Sequence, residues 1–433
     1  MRDKIENFRI KYAIIFTILI YSCTLNKIFC FLVFVLGVYI VLKHEFEMVF
    51  PLFMFMMPMS SIFKTSAGGT SYFTYLELLL VAVYLLRNKV KIRKTELWIL
   101  FFCGYIVVTQ ILNGAFSITI TIKMIVYLFL ISIVTTTEIG KIHKACFMMF
   151  IMGLIISSLM GLINIPGFHV SEFITVKTEL VQGDEYNRFA GLYGDPNYYS
   201  VNLIIALTLL VVLYLKDEIK FFQCIIFSTV LMYFAALTVS KSALLMLCFP
   251  ILMLLYVFYK KDNFFGIVFV IAIIGIAILL LTNNQTGIFT RVINRLSRAN
   301  TDITSGRTEL WKMFIAYLED NPVQLLFGRS IAHYMLNGHV AHNTYIDIVY
   351  ELGIFGGILF IALLVCIVRS SKDNSYKKNL INYSIILIIV IMYTFLSELQ
   401  YFDPPFHIIL ASMVLNLGMH VDTTKNRKIN FVR

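Results

Sequence analysis

Three basic side chains and one histidine stand apart from the other charges of this 433-residue sequence: Arg188, Lys241, Arg307 and His342. Each borders a strongly apolar stretch and sits in a polar or glycine-containing turn. Arg188 begins the run Arg188, Phe189, Ala190, Gly191, Leu192, Tyr193, Gly194, Asp195, Pro196, Asn197; Lys241 follows Ser240; Arg307 follows Ser305 and Gly306; His342 precedes Asn343, Thr344 and Tyr345. A charge beside an apolar span is costly unless it is paired or used. Fixed cations suit a polyanionic head group such as a lipid pyrophosphate, because Arg offers planar donor pairs to phosphate oxygens and Lys a compact charge. A pyrophosphate gains negative charge as its bond to a sugar breaks, so preorganised cations favour the transition state over the ground state. A histidine, ordinarily titrating near about 6.5, is suited to take a proton from an acceptor hydroxyl at neutral pH. Cations for the leaving group and a base for the nucleophile describe glycosyl transfer from a lipid pyrophosphate, with no metal required.

The elements that position these residues are membrane helices. Hydrophobic residues make up 59% of the chain, charged residues only 14%, and mean hydropathy is +0.83, which excludes an ordinary soluble enzyme. Crossing a hydrocarbon core of about 30 Å takes roughly 17 to 25 apolar residues in a helix, whose backbone bonds to itself inside lipid. The pattern predicts about fourteen spans, near 12–26, 28–42, 46–63, 73–86, 97–113, 118–138, 142–165, 196–215, 221–239, 242–259, 264–282, 343–368, 380–400 and 404–420. The expected fold class is an all-α polytopic integral membrane protein of about 12 to 14 transmembrane helices, forming one domain over residues 1–433. The charged lead Arg2, Lys4, Arg9 and Lys11 precedes a retained first span, since no small-residue cleavage site follows. Seven cysteines all fall in apolar stretches, so neither disulfides nor a metal cluster is expected.

The net charge of +11 is explained by topology. With the amino terminus in the cytoplasm, the basic clusters Arg87–Lys94, Lys141–Lys144, Lys216–Lys220, Lys260–Lys261, Arg369–Lys378 and Lys425–Arg433 share that side, and both termini are cytoplasmic. Most Lys and Arg residues are thereby accounted for, and a nucleic-acid surface is not expected. The same orientation sends two loops to the outer face, about 166–195 and the longer 283–342, and with them Arg188, Lys241, Arg307 and His342. Within the longer loop, Leu310, Trp311, Met313, Phe314 and Tyr317 recur at helical spacing. Thr308 is the expected cap, and Asn321 and Pro322 the stop, of a short amphipathic helix on the membrane surface or over a cavity.

Each candidate also has a plainer reading. Arg188 can anchor its own loop, Lys241 can snorkel to the interface, Arg307 can be solvated beside Glu309, and His342 can cap a helix with Asn343. Asp195 and Asn197 suit a turn, with a sugar contact as the alternative. Arg291, Arg295 and Arg298 fall about a turn apart and suit anionic head groups or the glycan pyrophosphate. Lys123 either snorkels or faces a cavity. His333 and His339 near His342 lack the carboxylate or Cys pattern of a metal site.

The run from Arg188 to Asn197, the Ser240–Lys241 pair, Ser305–Gly306–Arg307 with Trp311, Asn321 and Pro322, and His342–Asn343 leading to Glu351, Leu352, Gly353 and Gly356 resemble the O-antigen ligase and Wzy polymerase superfamily. The resemblance covers about residues 186–360 and rests on the order and spacing of the motifs. It implies a GT-C-like membrane glycosyltransferase that needs no metal or other cofactor. Its donor and acceptor are implied to be undecaprenyl-pyrophosphate-linked oligosaccharides, handled at the outer face of the bacterial cytoplasmic (inner) membrane among membrane lipids and, as a partner, a chain-length regulator protein. The implied catalytic residues are His342, Arg188 and Arg307, and the implied substrate-binding residues are Lys241, Asp195, Asn197, Asn343 and Arg298. Many relatives carry Arg where this chain has Lys241, which keeps the charge and loses bidentate geometry. Polymerisation of repeat units is favoured over ligation to an acceptor such as lipid A core, because a composition rich in Ile, Lys, Asn, Phe and Tyr suggests an AT-rich genome. A flippase for lipid-linked glycans is the alternative of another class; it calls for inverted repeats or charges spread through the spans, and the sequence has neither.

Overall fold

The structure is a computed structural model that describes residues 2–63, 71–88, 94–136, 142–162, 176–181, 184–192, 195–282, 306–333 and 335–370. The expected spans near 380–400 and 404–420, and Arg291, Arg295 and Arg298, lie outside the described residues. The chain divides into two compact units, residues 1–76 with 144–303 and residues 77–143 with 304–433. Helices dominate. The helical content agrees with the all-α expectation; the described residues add one short antiparallel hairpin, β1 (Val176–Val181) and β2 (Asp184–Phe189), which pairs Lys177 with Arg188.

In the first unit the helices are α1 (Arg2–Ser22), α2 (Ile28–Lys43), α3 (Phe46–Met56), α7 (His143–Leu162, of which His143 falls in the second unit), α8 (Pro196–Leu215), α9 (Phe221–Leu237), α10 (Lys241–Lys260) and α11 (Phe264–Thr282). A helix, α4 (Tyr72–Arg87), is shared between the units. The centre is α8, whose residues are apolar on all sides and which packs against α9 and α10. Two of its buried polar side chains bond to their own helix: Thr208 Oγ1 donates to the Ile204 carbonyl at 2.9 Å, and Asn202 Nδ2 to that of Tyr198 at 3.0 Å. Local bonding of this kind lets polar residues lie inside an apolar bundle without a partner helix.

In the second unit are α5 (Lys94–Leu112), α6 (Ile118–Thr136), α12 (Arg307–Asp320), α13 (Pro322–Phe327) and α14 (Thr344–Ser370). Three helices among the described residues are long and apolar enough to cross a membrane: α7, α8 and Thr344–Cys366 within α14. On α14, Ile354, Phe355, Ile358, Ile361 and Val365 form an exposed apolar stripe while Leu352, Phe360 and Leu363 are buried. A stripe this apolar on the outside belongs in lipid.

The helix α14 breaks at Gly353, where φ is 70° and ψ 179°. A break frees carbonyls that would otherwise accept from the next turn, and in a membrane these must find other donors. They do: the Tyr350 carbonyl accepts from Arg329 N–H at 2.9 Å, that of Glu351 from Ser330 N–H at 2.7 Å, and that of Leu352 from the Tyr105 hydroxyl at 2.7 Å. The segment after α13 therefore lies directly against the break. A Cβ on Gly353 would come within 2.4 Å of the Leu326 carbonyl oxygen, in a backbone region side chains rarely adopt. Gly353→Ala is accordingly expected to destabilise by about 2 kcal/mol or more, read as a lower thermal midpoint of the purified protein in detergent; an unchanged midpoint would show that the break relaxes freely.

Candidate functional site

In the first unit, the turn before α8 and the turn before α10 converge on Arg188. The guanidinium is 1% exposed, with Nε donating to the Thr238 carbonyl at 3.0 Å and Nη2 to Asn197 Oδ1 at 3.0 Å. Ser240 Oγ donates to the same Asn197 oxygen at 2.9 Å. Both helix starts are built by local rules. Asp195 caps α8 by accepting from Asn197 N–H at 2.7 Å, with Pro196 at the first helical position, and Ser240 caps α10 by accepting from Ala243 N–H at 3.4 Å. Phe189, next to Arg188 on β2, meets Tyr199 edge-on and stacks on Phe234, so the strand end is held between α8 and α9. The structure thus brings Arg188, Asp195, Asn197 and Ser240 together. The outcome favours the anchoring reading of Arg188 at least in part, since two of its donor groups bind this chain. The starts of α8 and α10 lie at the same place, and the positive ends of their dipoles favour an anion there. Lys241 is the first residue of α10; its side chain lies outside what is described.

In the second unit, α12 begins at Arg307, with Gly306 at the cap position and no side-chain cap, so the helix starts one residue before Thr308, the expected cap. Asn321 ends it, and Pro322 opens α13 instead of starting a loop. Its apolar face is docked on protein: Phe314 and Leu318 are buried with Leu336, Ala341 and Tyr350. Trp311 Nε1 donates to the Ala341 carbonyl at 2.9 Å. One helical turn therefore separates Arg307 from a side chain tied to the residue before His342, which sets the two candidates in one neighbourhood. Glu309, the acid nearest Arg307 in sequence, pairs with Lys312 at 2.9 Å and holds that exposed ammonium above its ordinary value.

His342 is half-buried and has a φ of +51°, a left-handed conformation uncommon for a side-chain-bearing residue. Strain of this kind collects at working sites. The residue that caps α14 is Asn343, whose Oδ1 accepts from Tyr345 N–H at 3.0 Å and Ile346 N–H at 3.3 Å. This leaves His342 just outside the helix, and Asn343 acts first as a structural cap. His339 exchanges backbone hydrogen bonds with Leu336 across a tight turn, and among the described residues no group of three or more His, Cys, Asp and Glu is arranged to hold a metal.

Sequence reasoning named Glu351 only as part of a motif and missed Asp347, and the structure buries both on α14, each 1% exposed. Their signal was present, as two carboxylates four residues apart within an apolar span fall on one helix face. It also missed Tyr105, whose partner at Leu352 lies 247 residues away and leaves no local trace.

Residues 225–361 match the family model described as O-antigen ligase, Wzy_C. The matched segment contains Ser240, Lys241, Arg307, His342, Gly353 and Gly356, and Arg188 precedes it. The match supports the O-antigen ligase and Wzy superfamily and, with the apolar helices, a membrane enzyme. No curated protein matches the chain.

Proposed function

We propose that the chain is a GT-C-like glycosyltransferase of the cytoplasmic membrane that polymerises oligosaccharide repeat units carried on undecaprenyl pyrophosphate, working at the outer face. The observation that carries this reading is the pairing, within one unit, of a base outside a helix start with a cation on a docked helix: His342 in a left-handed turn, and Arg307 one turn from the indole that holds Ala341. In the proposed reaction, the hydroxyl of the acceptor glycan gives its proton to the His342 imidazole as its oxygen attacks the anomeric carbon. The electron pair of the breaking bond leaves on the pyrophosphate. Arg307 offsets the charge that develops there, and Arg188 is proposed as a further cation for the substrate. Lys241, Asp195, Asn197, Asn343 and Arg298 are the proposed substrate-binding residues. A chain-length regulator is the proposed protein partner.

Ligation to a different acceptor is the second reading, favoured by the description of the matched family as O-antigen ligase. Purified protein in nanodiscs, given only lipid-pyrophosphate oligosaccharide, is expected to produce a ladder of longer glycans. Product that forms only when a second acceptor is added would identify a ligase and rule out polymerisation. Lipid-linked glycan that crosses the bilayer without gaining length would point to a transporter.

A further inference from the structure

Glu351 is a buried group that the proposed chemistry has not used. Its side chain is 1% exposed, and Oε2 has no hydrogen-bond partner among the described residues. The surroundings make this selective. At the same place, the three backbone carbonyls freed by the break in α14 all receive donors, from Arg329, Ser330 and Tyr105. Arg329, the cation on the facing segment, directs Nη1 to the Tyr350 hydroxyl at 2.6 Å. A carboxyl oxygen left without a donor in an apolar interior is costly and adds nothing to stability.

Asp347 lies one turn nearer the start of α14, is 1% exposed, and is close enough for its charge to act on Glu351. Its N–H donates to the Asn343 carbonyl at 3.0 Å, so it belongs to the first turn of α14, five residues after His342. Asp347 and Glu351, four residues apart, share one face of α14 just after His342, and the second ends in an oxygen open to a proton.

We propose that Asp347 and Glu351 form a proton relay behind His342, a role that rests on the glycosyl-transfer reading above. The acceptor O–H bond breaks as the new C–O bond forms, and the proton moves to the imidazole. It then passes to the Asp347 carboxylate and on to Glu351, and leaves to water when product departs. The imidazole is thereby returned to its neutral form between transfers, which repeated elongation requires. No redox change or further reactant is involved.

The test uses the full chain in nanodiscs with lipid-pyrophosphate oligosaccharide. Glu351→Gln is a neutral variant of the same shape, so a structural role and a relay role predict opposite patterns. The relay predicts kcat lowered by about tenfold or more, KM for donor within about twofold of wild type, and a thermal midpoint equal or higher. Glu351→Asp is expected to recover part of kcat, and Asp347→Asn to lower it. Turnover of Glu351→Gln within about twofold of wild type would overturn the relay, as would a loss of turnover that merely follows a fall in thermal midpoint. If His342→Ala is inactive while Glu351→Gln is not, the relay alone fails. A wild-type protein that extends no glycan under any acceptor condition overturns the glycosyl-transfer reading and the relay with it.

Discussion

His342→Ala is expected to lower glycan elongation by about 10²–10⁴-fold, the usual contribution of a general base, while the protein still folds and binds lipid-linked donor. The fold should survive because the cap of α14 is the Asn343 side chain, and the adjoining turn is held by the bond from Trp311 to Ala341. Donor binding should survive because the cations proposed to hold the head group are other side chains. His342→Gly separates strain from chemistry. At a φ of +51° glycine is at ease, so this variant should be more stable than His342→Ala by about 1 kcal/mol and equally inactive. The measurements are ladder length per unit time, donor binding by titration, and thermal midpoint. Normal elongation by either variant would remove His342 from the role of base.

Arg188→Ala is expected to have the largest effect on stability, on the order of 3 kcal/mol, because a buried, charge-assisted donor is lost from two acceptors on different elements. Those acceptors are the Thr238 carbonyl before α10 and Asn197 in the first turn of α8. Their loss should loosen the convergence of the two helix starts and weaken donor binding as well. Arg188→Lys keeps the charge, but one ammonium cannot reproduce a planar fork aimed at both acceptors, so an intermediate loss is expected. A lowered thermal midpoint in detergent, together with weaker donor binding, supports the joint role. Full stability with lost binding would assign Arg188 to substrate alone, and full stability with full binding would remove it from both.

Much of the fold was legible in the chain. The span expected at about 196–215 is the helix Pro196–Leu215, and the amphipathic segment expected from Thr308 to Asp320 is the helix Arg307–Asp320. Such segments are readable because their period and end signals are local: Asp195 and Pro196 start one, Asn321 ends the other. The cap of α12 was misread since both Gly306 and Thr308 are plausible starts, and docking of Trp311, Phe314 and Leu318 bears on where the helix begins. The hairpin at 176–189 was read as part of a loop, as a short ribbon lacks a strong alternating pattern.

What the sequence determined by itself is the class of environment and the kind of chemistry on offer. Transfer of a residue into lipid depends chiefly on its own side chain, so apolar runs announce membrane helices without reference to any partner, and the motif order pointed to the family that residues 225–361 match. Which groups meet was decided only by tertiary structure. Arg188 finds Thr238 fifty residues away, Tyr105 finds Leu352 at 247, and the break at Gly353 is stable because residues from α5 and the turn after α13 satisfy its carbonyls. A hydrogen bond needs two specific atoms at one distance and angle, and in an apolar interior the cost of leaving one unmet is high. No local pattern encodes that meeting, which is why the unmet oxygen of Glu351 became visible only in the folded chain.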